Sequence, residues 1–248
     1  MSTSAESRVR LLDLAEALPG AAALRRRGYE LLSLPAGSSV VDVGCGTGRA
    51  AAELAGRDFR PVGVDLDEEM VAEARRRWPG LDVRTGDAYR LPLDDGSVAG
   101  YRADKVFHEL ADPRRALAEA ARVLAPGGVA VLVGQDWDTF VIDADDRPLT
   151  RAIVHARADT VTNPWAARRY RTLLLAAGFR DPTVEVHTAV LTDPAMLPIL
   201  LGLGAAARDA GAVTRDQADS WADEQRQRAR DGWMFLAVPL FLASARRP

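Results

Sequence analysis

A chain of 248 residues with 48% apolar content has room for one substantial core, or for one domain carrying a small cap, and is too short for two equal domains. A formal net charge of −3 excludes a nucleic-acid binder that works by bulk phosphate neutralisation, and points to a small or neutral partner. The single cysteine, Cys45, excludes an intramolecular disulfide framework and a cysteine-only metal cluster; with three histidines no metal site is expected, and a reducing cytoplasm is the default compartment.

The opening Met1-Ser2-Thr3-Ser4-Ala5-Glu6 has neither the basic region nor the apolar run of a secretory signal. From Val9 to Leu32, leucines recur at helical spacing around a break at Pro19-Gly20, which predicts two short helices. Ser39 to Val43 is a compact β-branched run ending in glycines, and the alanine-rich Arg49 to Leu54 follows: a strand, a tight turn and a helix. The alternation repeats with a strand at Pro61–Asp65, a helix at Glu68–Trp78, a strand at Leu81–Thr85 and a weaker strand at Val98–Arg102, as a parallel sheet requires. Pro113–Leu124 reads as a helix closed by Ala125-Pro126-Gly127-Gly128, and Val129–Val133 as a central strand buried on both faces.

Beyond Val133 the pattern changes. Gln135 to Pro148 is rich in aspartate and aromatic residues, and helical runs follow at Leu149–Val161 and Ala166–Ala177. Strands are expected near Thr183–Leu191, a further helical stretch over Ala195–Arg230, and a closing strand in Trp233–Ser244. That last apolar run is interrupted by Pro239 and falls short of the roughly 20 residues a membrane helix needs, so no membrane partner is expected. The expected architecture is an open, mostly parallel α/β sheet with helices on both faces and a small helical cap. Residues 1–248 form a single domain in this reading: 1–35 an N-terminal lid, 38–135 the core, 136–178 a cap insertion, and 179–248 the elements that complete sheet and cap. The triplets Arg25-Arg26-Arg27 and Arg75-Arg76-Arg77 spread around a helical turn instead of forming one patch, and are expected to be solvated faces.

The glycine-rich turn Gly44-Cys45-Gly46-Thr47-Gly48, between a strand and a helix, lets a ligand approach the backbone beside free N–H groups. A dinucleotide fingerprint would place Gly or Ala where Arg49 stands, so pyrophosphate is not favoured. Four segments in order, Val41-Asp42-Val43-Gly44-Cys45-Gly46-Thr47-Gly48, Gly63-Val64-Asp65, Gly86-Asp87-Ala88 and Arg122-Val123-Leu124-Ala125-Pro126-Gly127-Gly128, resemble the class I S-adenosylmethionine-dependent methyltransferases. The resemblance is to the small-molecule branch that includes ubiquinone and menaquinone biosynthesis (methyltransferase type 11), and it covers most of residues 39–135.

The resemblance implies a Rossmann-like, seven-stranded fold with S-adenosylmethionine as cofactor. It implies that Gly44, Cys45, Gly46 and Gly48 pass under the methionine part and that Asp65 holds both ribose hydroxyls. Leu66 then packs on the adenine, with Asp87 and Ala88 at its polar edge. Asp42 is read either as a partner of the cofactor ammonium or as a buried brace of the loop. Independently, a carboxylate at a strand end about twenty residues past the glycines suits two hydroxyl hydrogen bonds.

Methyl transfer needs chiefly in-line positioning, and a base only where the acceptor keeps its proton. His108 and Glu109 lie after the fourth strand, where such a base would act; the histidine common in the family aligns with Glu109, so His108 does not inherit its role. Tyr29 is a further catalytic candidate, as a residue closing over the site. Gln135, Trp137, Phe140 and Trp165 are candidates for the acceptor wall, because ligands of open α/β sheets bind outside the carboxyl ends of the strands. Asn163-Pro164-Trp165 reads as a helix-start turn. The resulting expectation is methylation of an O, N or C atom of a small molecule in specialised or quinone-type metabolism, by a monomer or homodimer. A cofactor-retaining cyclase, a regulatory binding protein, and a protein or RNA methyltransferase stand as alternatives.

Overall fold

The structure is a computed structural model that describes residues 5–18 and 20–248. The opening Met1–Ser4 and Pro19, where the break between the first helices was expected, lie outside the described residues. Two helices lead in, α1 (Ala5–Ala17) and α2 (Ala21–Leu32). The core then alternates β1 (Ser39–Val43), α3 (Arg49–Ala55), β2 (Arg60–Asp65), α4 (Glu68–Arg77), β3 (Asp82–Thr85), β4 (Val98–Asp104), α5 (Pro113–Val123) and β5 (Leu124–Gln135). After a short β6 (Val141–Ile142) come α6 (Arg147–Asp159), α7 (Tyr170–Ala176), β7 (Arg180–Leu191), α8 (Leu197–Asp209), α9 (Arg215–Arg230) and β8 (Leu236–Arg246).

The strands form one sheet in the order β3-β2-β1-β4-β5-β8-β6, with β7 paired to β8. The first five strands are parallel, and β8 runs antiparallel to β5, β6 and β7. The two-residue β6 makes the count eight instead of seven. Alternation along the strands sorts the two faces. Val41, Val43, Tyr101, Ala130 and Leu132 pack with Leu117 of α5 and Leu174 of α7, while Val40, Val129, Val131 and Val133 pack with Leu24 and Leu32 of α2 and Leu54 of α3.

Three differences from the sequence reading have local causes. Leu124 already pairs with Val98, so β5 starts before the glycines instead of after them, with a register shift between Val98 and Gly100. The run Ala195–Arg230 is two helices, because Gly211 turns the chain at φ 72° and Thr214 starts α9 with a reciprocal capping box to Gln217. The arginine triplets are not simply solvated. Arg25 pairs with Glu53 of α3, Arg27 with Glu185 of β7, Arg75 donates to the Val83 carbonyl, and Arg77 bridges Glu73 and Asp13. Each guanidinium reaches a different element, which periodicity within one helix does not reveal.

The cap has its own apolar centre. Ile153 of α6, Leu200 and Leu203 of α8, Trp221 of α9 and Leu236 of β8 are buried together, and the Trp221 indole donates to Thr150 Oγ1 at 3.0 Å. Among the described residues no helix is long and apolar enough to cross a membrane.

Candidate active site

The glycine turn is shaped by contacts that only glycine allows. Gly44 has φ 65°, and a Cβ there would lie 2.3 Å from Val106 Cγ2; Gly46 has φ 53°, with Leu12 of α1 packed over it. α1 is thereby seated on the turn, and ion pairs hold it there: Arg8 to Asp67 and Glu69, Asp13 to Arg77, and Glu16 to Arg49.

Asp65, at the end of β2, binds the turn directly. Its Oδ2 accepts the Gly46 N–H at 2.7 Å and its Oδ1 accepts the Asp67 N–H at 3.0 Å. Each oxygen keeps a further lone pair. Asp65 is not the cap of the next helix: Asp67 fills that role, accepting from Glu69 and Met70 N–H. The neighbouring Leu66 is 72% exposed, an apolar side chain held open beside the carboxylate. At the end of β3, Asp87 Oδ1 accepts the Tyr89 N–H, and Ala88 is buried against the core. Cys45 turns its thiol inward against Val71, Ala74 and Val83, where burial pushes its pKa up and the thiol donates to the Gly46 carbonyl at 3.9 Å.

Below the turn lies a buried ionic network. Asp42 of β1 sits opposite Arg102 of β4 in the strand register, and Arg102 donates to Asp42 Oδ1 at 2.6 Å and to Asp104 Oδ2 at 2.7 Å. Burial pushes the Asp42 carboxyl up against the pull of Arg102, whereas the two carboxylates hold Arg102 charged despite its burial. Asp42 Oδ2 is buried and has no partner among the described residues. Tyr29 belongs to this network and not to the His108 cluster. It is 4% exposed, its hydroxyl donates to Glu53, and its ring carries Arg102 and Arg57 on its faces. Burial raises its pKa, which keeps the phenol protonated and removes it as a proton acceptor at neutral pH.

The segments after β4 and β5 meet. His108 and Trp137 contact edge to face with centroids 5.5 Å apart, and Phe140 lies 5.5 Å beyond Trp137. His108 is buried; its Nε2 lies 3.1 Å from Glu109 Oε1, and its Nδ1 has no partner among the described residues. Burial lowers the His108 pKa below 6.5, only partly opposed by Glu109. Donation from Nε2–H to Glu109 leaves neutral Nδ1 as the acceptor atom.

The Asn163-Pro164 turn pins this arrangement. Asn163 N–H donates to the His108 carbonyl at 2.8 Å, and the Pro164 carbonyl accepts the Trp137 N–H at 3.2 Å. Trp165 stands outside the cluster, 49% exposed, donating to Asp138. Gln135 ends β5 with its Oε1 buried and unpartnered among the described residues. Arg102 and the Asn163 turn were missed as site residues: Arg102 acts through Asp42 and Asn163 through His108, pairings between residues far apart in the chain that periodicity does not report.

A family model described as a methyltransferase domain matches residues 41–132. An uncharacterised protein in a transposon of Streptomyces fradiae is 38% identical, over 88% of this chain and 67% of its own length. The chain belongs to the class I S-adenosylmethionine-dependent methyltransferases. An O-methyltransferase of Penicillium expansum is 35% identical over 60% of this chain and 54% of its own length. The chain thus spans two thirds of the first relative and about half of the second. A Bacillus halodurans crystal structure assigned to the methyltransferases superposes with a TM-score of 0.65 at 19% identity, covering 90% of this chain and 98% of that one, and shares the fold.

Proposed function

We propose that this enzyme binds S-adenosylmethionine across the glycine turn, Asp65 and Asp87, and moves its methyl group to a small-molecule acceptor over the ends of β4 and β5. The observation that carries the reading is the Asp65 carboxylate, which fastens to Gly46 N–H and still has acceptor capacity for two ribose hydroxyls. The residues fit the cofactor elsewhere too. Leu66 is open for the adenine face, and the orphaned Asp42 Oδ2 suits an ammonium near the turn. The bound sulfonium supplies an activated methyl group, so the protein's task is alignment and, where needed, proton removal.

In this reading His108 Nδ1 takes the acceptor's proton while Glu109 orients the ring, and Trp137 and Phe140 wall the acceptor. The small-molecule assignment is supported by the net negative charge and by the likeness to a fungal O-methyltransferase. Isothermal titration with S-adenosylmethionine and S-adenosylhomocysteine tests the cofactor site. Asp65→Ala is expected to weaken both by about 2–3 kcal/mol, the scale of hydrogen bonds to a charged group; unchanged affinity would remove the ribose role. Release of S-adenosylhomocysteine in the presence of candidate acceptors tests transfer itself.

A further inference from the structure

The function described so far leaves Arg157 without a task. It sits in the last turn of α6, partly buried, with its guanidinium 4.4 Å from the Trp137 ring centroid. Its hydrogen bond is from Nη1 to Thr160 Oγ1 at 2.6 Å, and among the described residues no carboxylate pairs with it. Other withdrawn arginines are paired: Arg25 with Glu53, Arg102 with Asp42, and Arg228 with Glu224. Burial lowers the Arg157 pKa, with Glu109 opposing from a distance; its local partners, the Trp137 ring and Thr160 Oγ1, carry no countercharge.

Beside it lie two buried polar atoms, Trp137 Nε1 and His108 Nδ1, on rings that touch, and neither has a hydrogen-bond partner among the described residues. Buried polar groups in folded proteins are paired as a rule, and exceptions in one cluster mark a place built for a ligand. The cluster offers one cation, one indole N–H donor and the aromatic surfaces of Trp137 and Phe140.

We infer that Arg157 and Trp137 anchor the acceptor through a negative charge of its own, and that the acceptor is a planar aromatic carrying a single carboxylate. This rests on the acceptor lying over β4 and β5, as proposed above. A guanidinium fork matches a carboxylate, and the neighbouring indole N–H supplies a further donor. A single unpaired guanidinium balances one negative charge, whereas a diphosphate would bring more charge than the cluster neutralises. The aromatic walls select a flat ring over a flexible chain.

The test is titration of the S-adenosylhomocysteine-saturated protein with a panel of hydroxybenzoates, their neutral benzamides, and inorganic pyrophosphate. Carboxylates are expected to bind at least tenfold more tightly than the matching amides and than pyrophosphate. Arg157→Gln should abolish that preference with S-adenosylhomocysteine affinity unchanged, Arg157→Lys should keep part of it, and Trp137→Phe should weaken the acids several-fold. Equal binding of acids and amides, binding of neither, tighter pyrophosphate, or a preference that survives Arg157→Gln overturns the inference. The acid–amide comparison on the unaltered protein decides the matter even where a variant does not fold. Failure of S-adenosylhomocysteine itself to bind would instead overturn the cofactor reading.

Discussion

His108 shows how burial tunes a single side chain. Its pKa is pushed below 6.5 because the cationic form is desolvated, so the ring is neutral at pH 7 and Nδ1 is free to accept a proton. The sign for stability follows: the unfolded chain binds the proton more readily, so the contribution of neutral His108 is complete above about pH 6.5 and is lost as pH falls through the folded-state value. An NMR titration of the ring, assigned with His108→Gln, is expected to give a midpoint below 6.5, with the acid limb of kcat/KM at the same pH. A midpoint at or above 6.5 would show that the ring is solvated and remove it as the base. Two neighbouring residues differ in how legible they are. Asp42 stands out because it precedes the glycines, but its partner Arg102 emerges only once β1 and β4 are in register. Breaking that pair on one side alone would strand a buried charge, the costly case for buried ion pairs.

At the scale of elements, α1 is tied to the core by ion pairs as well as by Leu12 on Gly46. Leu12 and Leu14 are exposed on it, while Arg8, Asp13 and Glu16 reach across to α3, α4 and the loop before α4. Exposed pairs contribute only about 0–1 kcal/mol each and weaken with ionic strength. Amide hydrogen exchange in residues 8–17 is therefore expected to accelerate from low salt to about 1 M, where the screening length is roughly 3 Å, while α2 stays protected through Leu24 and Leu32. Salt-independent exchange in α1 would show that apolar contact holds it. The helical period of α1 could be read from its leucines, and the strand–turn–helix units of residues 39–135 from their alternation. What α1 rests on could not, because its ion pairs and the Leu12 contact with Gly46 reach residues far along the chain.

The molecule has separate apolar centres, among them one between the sheet and the helices α5 and α7, and one inside the cap around Trp221. Trp221→Ala is expected to cost about 3–5 kcal/mol, the range for truncating a buried large aromatic. The loss should fall on α6, α8 and α9, seen as faster hydrogen exchange there, with S-adenosylhomocysteine affinity nearly intact because the glycine turn and Asp65 lie on other elements. Cofactor affinity falling in step with cap stability would show that the two parts are one cooperative unit. Parallel order and helical layers were legible from alternating patterns. The cap's assembly was not, since α6 and the α8–α9 pair come from either side of β7 and meet only in three dimensions.

β8 hydrogen-bonds to β5, β6 and β7 at once. During translation, residues 129–135 must wait for residues 240–246 before that edge of the sheet is covered, an interval on the order of ten seconds at ordinary ribosome speeds. Until then Val129–Val133 is an apolar strand with an open edge, able to pair with another nascent chain. The yield of this protein in a host cell should therefore depend on how quickly the ribosome delivers its last strand.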